Sequence, residues 1–521
     1  MSLIRPRTTR RKLLMTGLVS TSILAMPSIS RAQSRPVFSH GVQSGDISAQ
    51  GGMVWTRADR PARIALEVAT TEGFDNARHV ATLNALPDSD FAVKALVDGF
   101  APDQTVFYRM TAADLSDLNA VSEPVIGRFR TAPTERRDIR FVWSGDTAGQ
   151  GWGIDDEGMR TYATMALHEP DFFIHSGDTI YADGPMTDEV QIEGGVWKNA
   201  TLTDEVRKVA ETLDEFRGRW KYNQMDTHVQ ALSAICPTLF QWDDHEVVNN
   251  WSPGKDLTGD DRYSEKSVAL LQARAARAFH EMTPISFTPS EPGRVYRKVA
   301  YGPLLDIFFL DLRSYRGANS TGMEDEVTIT SQILGKAQLD WLKAALTRST
   351  ATWKVIACDM PIGLCVWDSV SEDQKFVEAV ANGAAGAPKG RELEFAQLLR
   401  FIRGESILNT VWLTADVHYA AAHEYHPDRA AFQDFAPFWE FVSGPLHAGT
   451  FGPNDLDMTF GPEVKFVKAP PAGQVNLPPS AGMQFFGIVD IAGDSGQMTV
   501  RLMDRADTEL WSITLDPQQS S

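Results

Sequence analysis

The stretch Phe172-Phe-Ile-His-Ser-Gly-Asp-Thr-Ile-Tyr181 decides how the rest of the chain is read. Its opening has the length and apolar character of a buried strand, and the run stops at a small polar cluster containing an acid. The pattern recurs. Ile139-Arg-Phe-Val-Trp ends at Ser144-Gly145-Asp146, and Thr238-Leu-Phe-Gln-Trp ends at Asp243-Asp244-His245-Glu246. Leu304-Leu-Asp-Ile-Phe-Phe-Leu ends at Asp311-Leu-Arg313, and Thr410-Val-Trp-Leu-Thr ends at Ala415-Asp416-Val417-His418. Helix-like segments lie between these runs, at 203–220, 266–281, 330–346 and 390–403. The alternation predicts an α/β layout with its site at the carboxyl ends of the strands.

Upstream the text differs. Between Pro36 and Pro133, short alternating runs rich in β-branched and aromatic residues (52–57, 63–68, 91–96, 105–110 and 126–130) predict an all-β sandwich. Gly99–Tyr108 looks like the tyrosine-corner region of a fibronectin-type domain, and Thr131–Arg137 reads as a linker. The tail, 485–515, returns to strands around a Gly493-Asp-Ser-Gly496 hairpin turn. At 521 residues, two or more domains are expected. The division predicted is a leader at 1–32, a β-sandwich domain at 33–135 and a catalytic domain at 136–521.

The leader prediction rests on Thr9-Arg10-Arg11-Lys12-Leu13-Leu14, an apolar run to Met26, and Ser30-Arg31-Ala32 as a cleavage pattern. A paired-arginine signal peptide of this kind implies the twin-arginine export machinery and a periplasmic or secreted product. The apolar run is shorter than the ~20 residues of a membrane span, so no stable transmembrane anchor is expected. Loss of the leader removes six basic residues and no acidic ones, taking the formal charge from −19 to −25. So acidic a surface disfavours nucleic-acid backbones; a phosphate-bearing substrate then needs a local cluster of cations. Three cysteines, Cys236, Cys358 and Cys365, are too few for a disulfide framework. They are expected as buried free thiols, with a Cys358–Cys365 bridge as the alternative.

Asp146, Asp178, Asp244 and Asp416 offer hard oxygen ligands, His418 a nitrogen and Tyr181 a phenol. Such a set suits two metal ions ~3.5–4 Å apart that clamp phosphate oxygens and generate hydroxide. A phenol ionises at working pH only against a strongly acidic ion, which points to Fe(III). Arg313 is placed to receive phosphate oxygens in a bidentate way. One Gly-Asp at a strand end is ordinarily a turn; only the whole set, recurring at successive strand ends, points to chemistry.

Phe38–Asp46 and Val54-Trp-Thr-Arg57, followed by Gly177–Tyr181, Trp242-Asp-Asp-His-Glu-Val-Val-Asn-Asn250, Leu310–Arg316 and Thr414–His418, are familiar together. The Trp242–Asn250 motif is long and specific, the last weak alone. Over most of its mature length the chain resembles the PhoD-type alkaline phosphatase/phosphodiesterase family. More distantly it is similar to the purple acid phosphatases within the calcineurin-like metallophosphoesterases. The resemblance implies a layered β-sandwich core flanked by helices and an immunoglobulin/fibronectin-like amino-terminal domain. It implies Asp178 as bridging carboxylate, Tyr181 as Fe(III)-binding phenolate, Asp244 on the second metal, and one ligand to each metal from Asp416 and His418. Asp146 takes the opening position, His245 that of acid or electrostatic stabiliser at the leaving group, and Asn249 that of an extra ligand or phosphate contact. Several PhoD-type enzymes carry a metal-binding cysteine after the first strand. Here Trp143–Gln150 has none, which excludes a thiolate there and leaves the second metal (Ca, Mn, Zn or Fe) open.

The function expected is hydrolysis of phosphate mono- or diesters by metal-bound hydroxide. The alternatives are a non-hydrolytic iron protein, such as an oxygenase, and a surface-polymer binding protein with an idle catalytic fold.

Overall fold

The computed structural model describes residues 35–371 and 374–519, so the predicted leader lies outside the described residues. Residues 35–133 form seven strands: β1 (Val42–Gly45), β2 (Gly52–Arg57), β3 (Ala62–Ala69), β4 (Arg78–Ala85), β5 (Ala92–Val97), β6 (Thr105–Asp114) and β7 (Val125–Arg130). They make two sheets, ordered β1-β2-β5 and β4-β3-β6-β7, with every pair antiparallel. Every second residue of β6 is buried, as expected of a strand with one face on a core. Tyr108 is fully buried on that face, but its hydroxyl bonds no backbone group among the described hydrogen bonds, as a tyrosine corner requires. Strands β1 and β4 escaped the sequence reading, β4 because most of its residues lie on a solvated face.

The rest of the chain supplies β8 (Ile139–Ser144), β9 (Phe172–His175), β10 (Glu189–Ile192), β11 (Gly195–Lys198), β12 (Thr238–Phe240), β13 (Arg297–Ala300), β14 (Leu305–Phe309), β15 (Trp353–Ala357), β16 (Trp367–Val370), β17 (Lys375–Val377), β18 (Thr410–Thr414), β19 (Ala420–Tyr425), β20 (Phe438–Val442), β21 (Pro462–Lys468), β22 (Phe485–Ile491), β23 (Met498–Asp504) and β24 (Glu509–Leu515). Its helices are α1 (Arg160–Leu167), α2 (Leu213–Gln224), α3 (Thr227–Ile235), α4 (Val268–Met282), α5 (Gly335–Thr347) and α6 (Glu392–Gly404). The helix expected over 203–220 begins only at Leu213. Thr212 and Glu215 form a reciprocal capping box there, and a short 3₁₀ turn, Asp204–Arg207, precedes it.

Two mixed sheets face each other, ordered β12-β9-β8-β22-β23-β24 and β13-β14-β15-β18-β20-β19-β21. Phe141, Trp143 and Ile174 of the first sheet share one core with Ile307, Phe309, Val355 and Leu413 of the second. The outer faces are also covered. Phe308, Ile356 and Trp412 pack against Leu339 and Leu342 of α5 and Leu398 and Leu399 of α6, while Val142 and Phe173 pack against Tyr162 and Met165 of α1. Burial on both faces is why these strands read as continuous apolar runs. The tail joins the first sheet because β22 pairs antiparallel with β8, placing Gly487 opposite Trp143. Any Cβ at 487 would overlap the indole, whose Nε1 donates across to the Thr414 carbonyl at 3.3 Å. Strands β12, β9 and β8 are mutually parallel, as are β14, β15, β18 and β20, so the carboxyl ends of each set open on one side.

Candidate metal centre

The chain turns sharply as it leaves those strands. Asp146 (φ 68°), Asp178 (50°), Asp416 (67°) and His418 (61°) all occupy the left-handed region. That conformation costs a non-glycine residue ~1–3 kcal/mol and persists only where surrounding bonds over-determine it. One source of those bonds is Glu246. Its Oε2 accepts from the backbone N–H of Asp178 (3.0 Å) and Asp243 (2.7 Å), and its Oε1 from Thr179 (2.6 Å) and Ile180 (3.3 Å). Burial, and the charge of Asp243, push the Glu246 carboxyl up to about 8 against these bonds. Four converging N–H donors nevertheless leave no acceptor for a carboxylic proton, so the geometry is that of the carboxylate. Gly177 (φ 105°) must be glycine, since a Cβ there would sit 2.6 Å from Asp243 Cβ.

Three overlapping groups of potential ligands result: Asp146, Asp178 and His418; Asp178, Asp244 and His245; Asp243, Asp244 and Asp416, with the ligand atoms of each group within 4.8 Å of one another. Tyr181 Oη lies 2.8 Å from His418 Nε2. The Gly449 carbonyl accepts from His418 Nδ1, which leaves Nε2 as the lone-pair nitrogen facing Tyr181 and Asp146. Burial lowers His418 to about 4, so the ring is neutral. Burial and neighbouring acids push Asp146, Asp178 and Asp416 well above the carboxylate range, and Tyr181 well above the phenol range. Among the described residues, neither oxygen of Asp146, nor Asp244 Oδ1, has a hydrogen-bond partner. Buried carboxylates without donors cost several kcal/mol unless a cation meets them. Oxygen, imidazole and phenol donors converging in this way fit metal ions.

Of the other expected site residues, His245 belongs to the second ligand group, while Arg313 and Asn249 belong to none. His245 Nδ1 lies 2.6 Å from Asp183 Oδ1, and its ring lies on that of Tyr181, centroids 4.2 Å apart. Burial opposes protonation of His245, but Asp183 and then Asp244 carry it to about 9, while Asp183 falls to about 2. Arg313 is fully buried. Its Nε and Nη1 bond Asp243 and Glu378, and Asp359 Oδ2 stands 3.4 Å from Nε. Only Nη2 has no hydrogen-bond partner among the described residues, and it faces Asp244 (3.6 Å) and Asp416 (3.7 Å). Asn249 is exposed, its backbone N–H donating to Asp183; the neighbouring Asn250 (φ 52°) is the residue whose N–H reaches Asp244. Asp183, Glu246, Asp359 and Glu378 were assigned no role from sequence. Asp359 had a usable signal, because Trp353-Lys-Val-Ile-Ala-Cys-Asp359 repeats the pattern of an apolar run ending in an acid. Glu378 had none. The three cysteines are buried and unbridged.

The architecture has solved counterparts. A structure of PhoD aligns with a TM-score of 0.67 at 22% identity, covering 94% of this chain and 90% of that one. Purple acid phosphatase PPD1 from yellow lupin (Lupinus luteus) seeds aligns at 0.56 and 12% identity, covering 93% and 74%. In sequence, alkaline phosphatase D of Bacillus subtilis (strain 168) is 29% identical over 437 residues, 80% of this chain and 70% of that protein. Together with the clustered ligands, these likenesses make the chain a metal-dependent phosphoester hydrolase of the phosphatase/phosphodiesterase class. Residues 141–502 match the PhoD-like phosphatase family and residues 24–133 match that family's N-terminal domain. The chain belongs to the PhoD-like phosphatase family.

Proposed function

We propose that this protein is an exported hydrolase of phosphate mono- or diesters, working at two metal ions for which Asp178 would be the shared ligand. The observation that carries this reading is that Asp178 groups with Asp146 and His418 on one side and with Asp244 on the other, while Asp244 in turn groups with Asp416, so that Asp178 stands between the two sets of ligands. Asp146, His418 and Tyr181 are the residues that would hold Fe(III); Asp244 and Asp416 would hold a second, divalent ion drawn from Ca, Mn, Zn or Fe. Bound there, the ions supply Lewis acidity to phosphate oxygens and a hydroxide nucleophile at neutral pH. The residues divide the remaining work. His245, held protonated by Asp183, is the proton donor for the leaving oxygen. Arg313 offsets the charge of Asp243, Asp244 and Asp416; with Nε and Nη1 taken by Asp243 and Glu378, only its buried Nη2, facing Asp244 and Asp416, is left for a phosphate oxygen, a one-point contact in place of the bidentate one expected. Asn249 is assigned a rim contact to substrate.

An oxygenase with one facial metal site would need a single ligand group; three overlapping groups favour two ions. The export assignment rests on the Arg10-Arg11 leader, and no helix among the described residues is long and apolar enough to cross a membrane. We also assign residues 33–135 to an immunoglobulin/fibronectin-like sandwich, supported by its two antiparallel sheets, and 136–521 to the catalytic domain. The test is turnover of p-nitrophenyl phosphate and bis(p-nitrophenyl) phosphate by metal-replete protein. Hydrolysis of either supports the reading and their ratio selects the substrate type; hydrolysis of neither refutes it. Replacing Arg10 and Arg11 by lysine should retain the protein in the cytoplasm.

A further inference from the structure

The tetrapeptide Ser-Gly-Asp-Thr occurs twice, as Ser144–Thr147 and Ser176–Thr179, at the ends of the neighbouring parallel strands β8 and β9. Each copy holds its aspartate in the left-handed region, the second after Gly177 is already at positive φ, and each then buries a threonine. The two turns are cross-bonded, Thr147 N–H donating to the Asp178 carbonyl (2.8 Å) and Asp146 N–H to the Gly177 carbonyl (3.3 Å). Beneath both lies His175, the last residue of β9. Its Nε2 is 3.0 Å from Thr147 Oγ1 and its Nδ1 is 3.2 Å from Thr179 Oγ1. Phe173 and Phe240 flank the ring, with centroids at 5.4 and 6.0 Å. Tyr162 of α1 extends the chain of hydroxyls to Thr147 at 2.8 Å.

We propose that His175 is a positioning residue that clamps the two aspartate-bearing turns together, holding Asp146 and Asp178 at the spacing a shared cation requires; this rests on the metal-site reading above. A neutral imidazole carries one donor and one acceptor on opposite sides of a rigid ring. Two threonine hydroxyls, free to rotate, match either tautomer. Burial keeps the ring uncharged, its pKa lowered to about 3. The clamp is needed because both turns are strained: without outside bonds each aspartate relaxes out of the left-handed region, which swings its carboxylate out of the ligand group. Were His175 only filling between Phe173 and Phe240, removal of its hydrogen bonds would change stability alone.

Chelator-stripped mature protein, titrated calorimetrically with Mn²⁺ alone and paired with thermal unfolding, tests this. His175→Phe should weaken Mn²⁺ binding by about tenfold or more, within the range of outer-shell substitutions. Thr147→Val and Thr179→Val, which keep shape and fold, should each weaken it several-fold. The double threonine variant should be no worse than His175→Phe, because all three remove one clamp. His175→Gln, which keeps a donor and an acceptor, should recover part of the loss, and kcat for p-nitrophenyl phosphate should fall across the series with KM unchanged. Threonine variants that bind Mn²⁺ with wild-type affinity and stoichiometry overturn the clamp. A folded wild type that takes no Mn²⁺ overturns the metal reading and the clamp with it.

Discussion

Glu246→Gln removes one charge and almost no volume, yet it should loosen the turn that carries Asp178. The Glu246 carboxylate accepts four backbone N–H bonds, two on each oxygen. Glutamine keeps one oxygen for two of them and turns an NH₂ group toward the other pair. Losing two charge-assisted bonds at ~1.5–3 kcal/mol each costs ~3–6 kcal/mol. Removing a negative charge from beside Asp243 returns part of this, leaving a net cost of about 3 kcal/mol. A chain of several domains has no single well-defined unfolding free energy, so the readout is local. Native-state hydrogen exchange of a peptide covering Thr179 and Ile180 should accelerate roughly a hundredfold, since ~1.4 kcal/mol is a factor of ten. Turnover should fall by a much smaller factor, because an open state a hundred times more populated is still a minority while opening remains unfavourable. Exchange within twofold of wild type, with full turnover, would refute the reasoning.

Three further outcomes are expected. Gly444→Ala places a methyl group onto Asp146 Oδ2, so elemental analysis should show one metal lost while the melting temperature changes little. His245→Ala should lower kcat with metal retained. Asp183 raises the His245 ring above its ordinary value, so turnover should decline on the alkaline side of a pH–rate profile, and Asp183→Asn should move that limb to lower pH by about one unit or more. His175 and His40 are neutral in the fold, lowered to about 3 by burial and to about 4 by burial and Arg57. The unfolded chain therefore takes up protons first as pH falls below ~6.5. Stability present above that pH is lost as pH falls toward 4 and then 3, and His40→Gln should flatten the dependence of melting temperature on pH between 6.5 and 4.

The strand ends were legible because strands covered on both faces are written as apolar runs, and each run stops where the backbone must turn. Asp146, Asp178, Asp244, Asp416 and His418 could be listed from that pattern alone, and the structure brings their ligand atoms into overlapping groups. The fate of Arg313 was not legible. Its two strongest partners are Asp243, beyond a different strand, and Glu378, which follows the short β17, and only the folded chain puts them together. The role of Glu246 was hidden for a similar reason: its partners are backbone amides, which leave no trace in residue identity. Pairing of β22 with β8 depends on Gly487 fitting under Trp143, a contact between distant parts of the chain. Helices α1 and α3 were missed because each is short and its apolar residues alternate with polar ones over barely two turns.

The central claim, two metal ions bridged by Asp178, is tested most directly by elemental analysis of wild type and Asp178→Asn purified side by side, with phosphoester turnover measured on the same samples. The account predicts two metal equivalents including iron in the wild type. In the variant it predicts one equivalent or fewer, with turnover abolished. An Asp178→Asn protein that keeps both its metal content and its activity would contradict it.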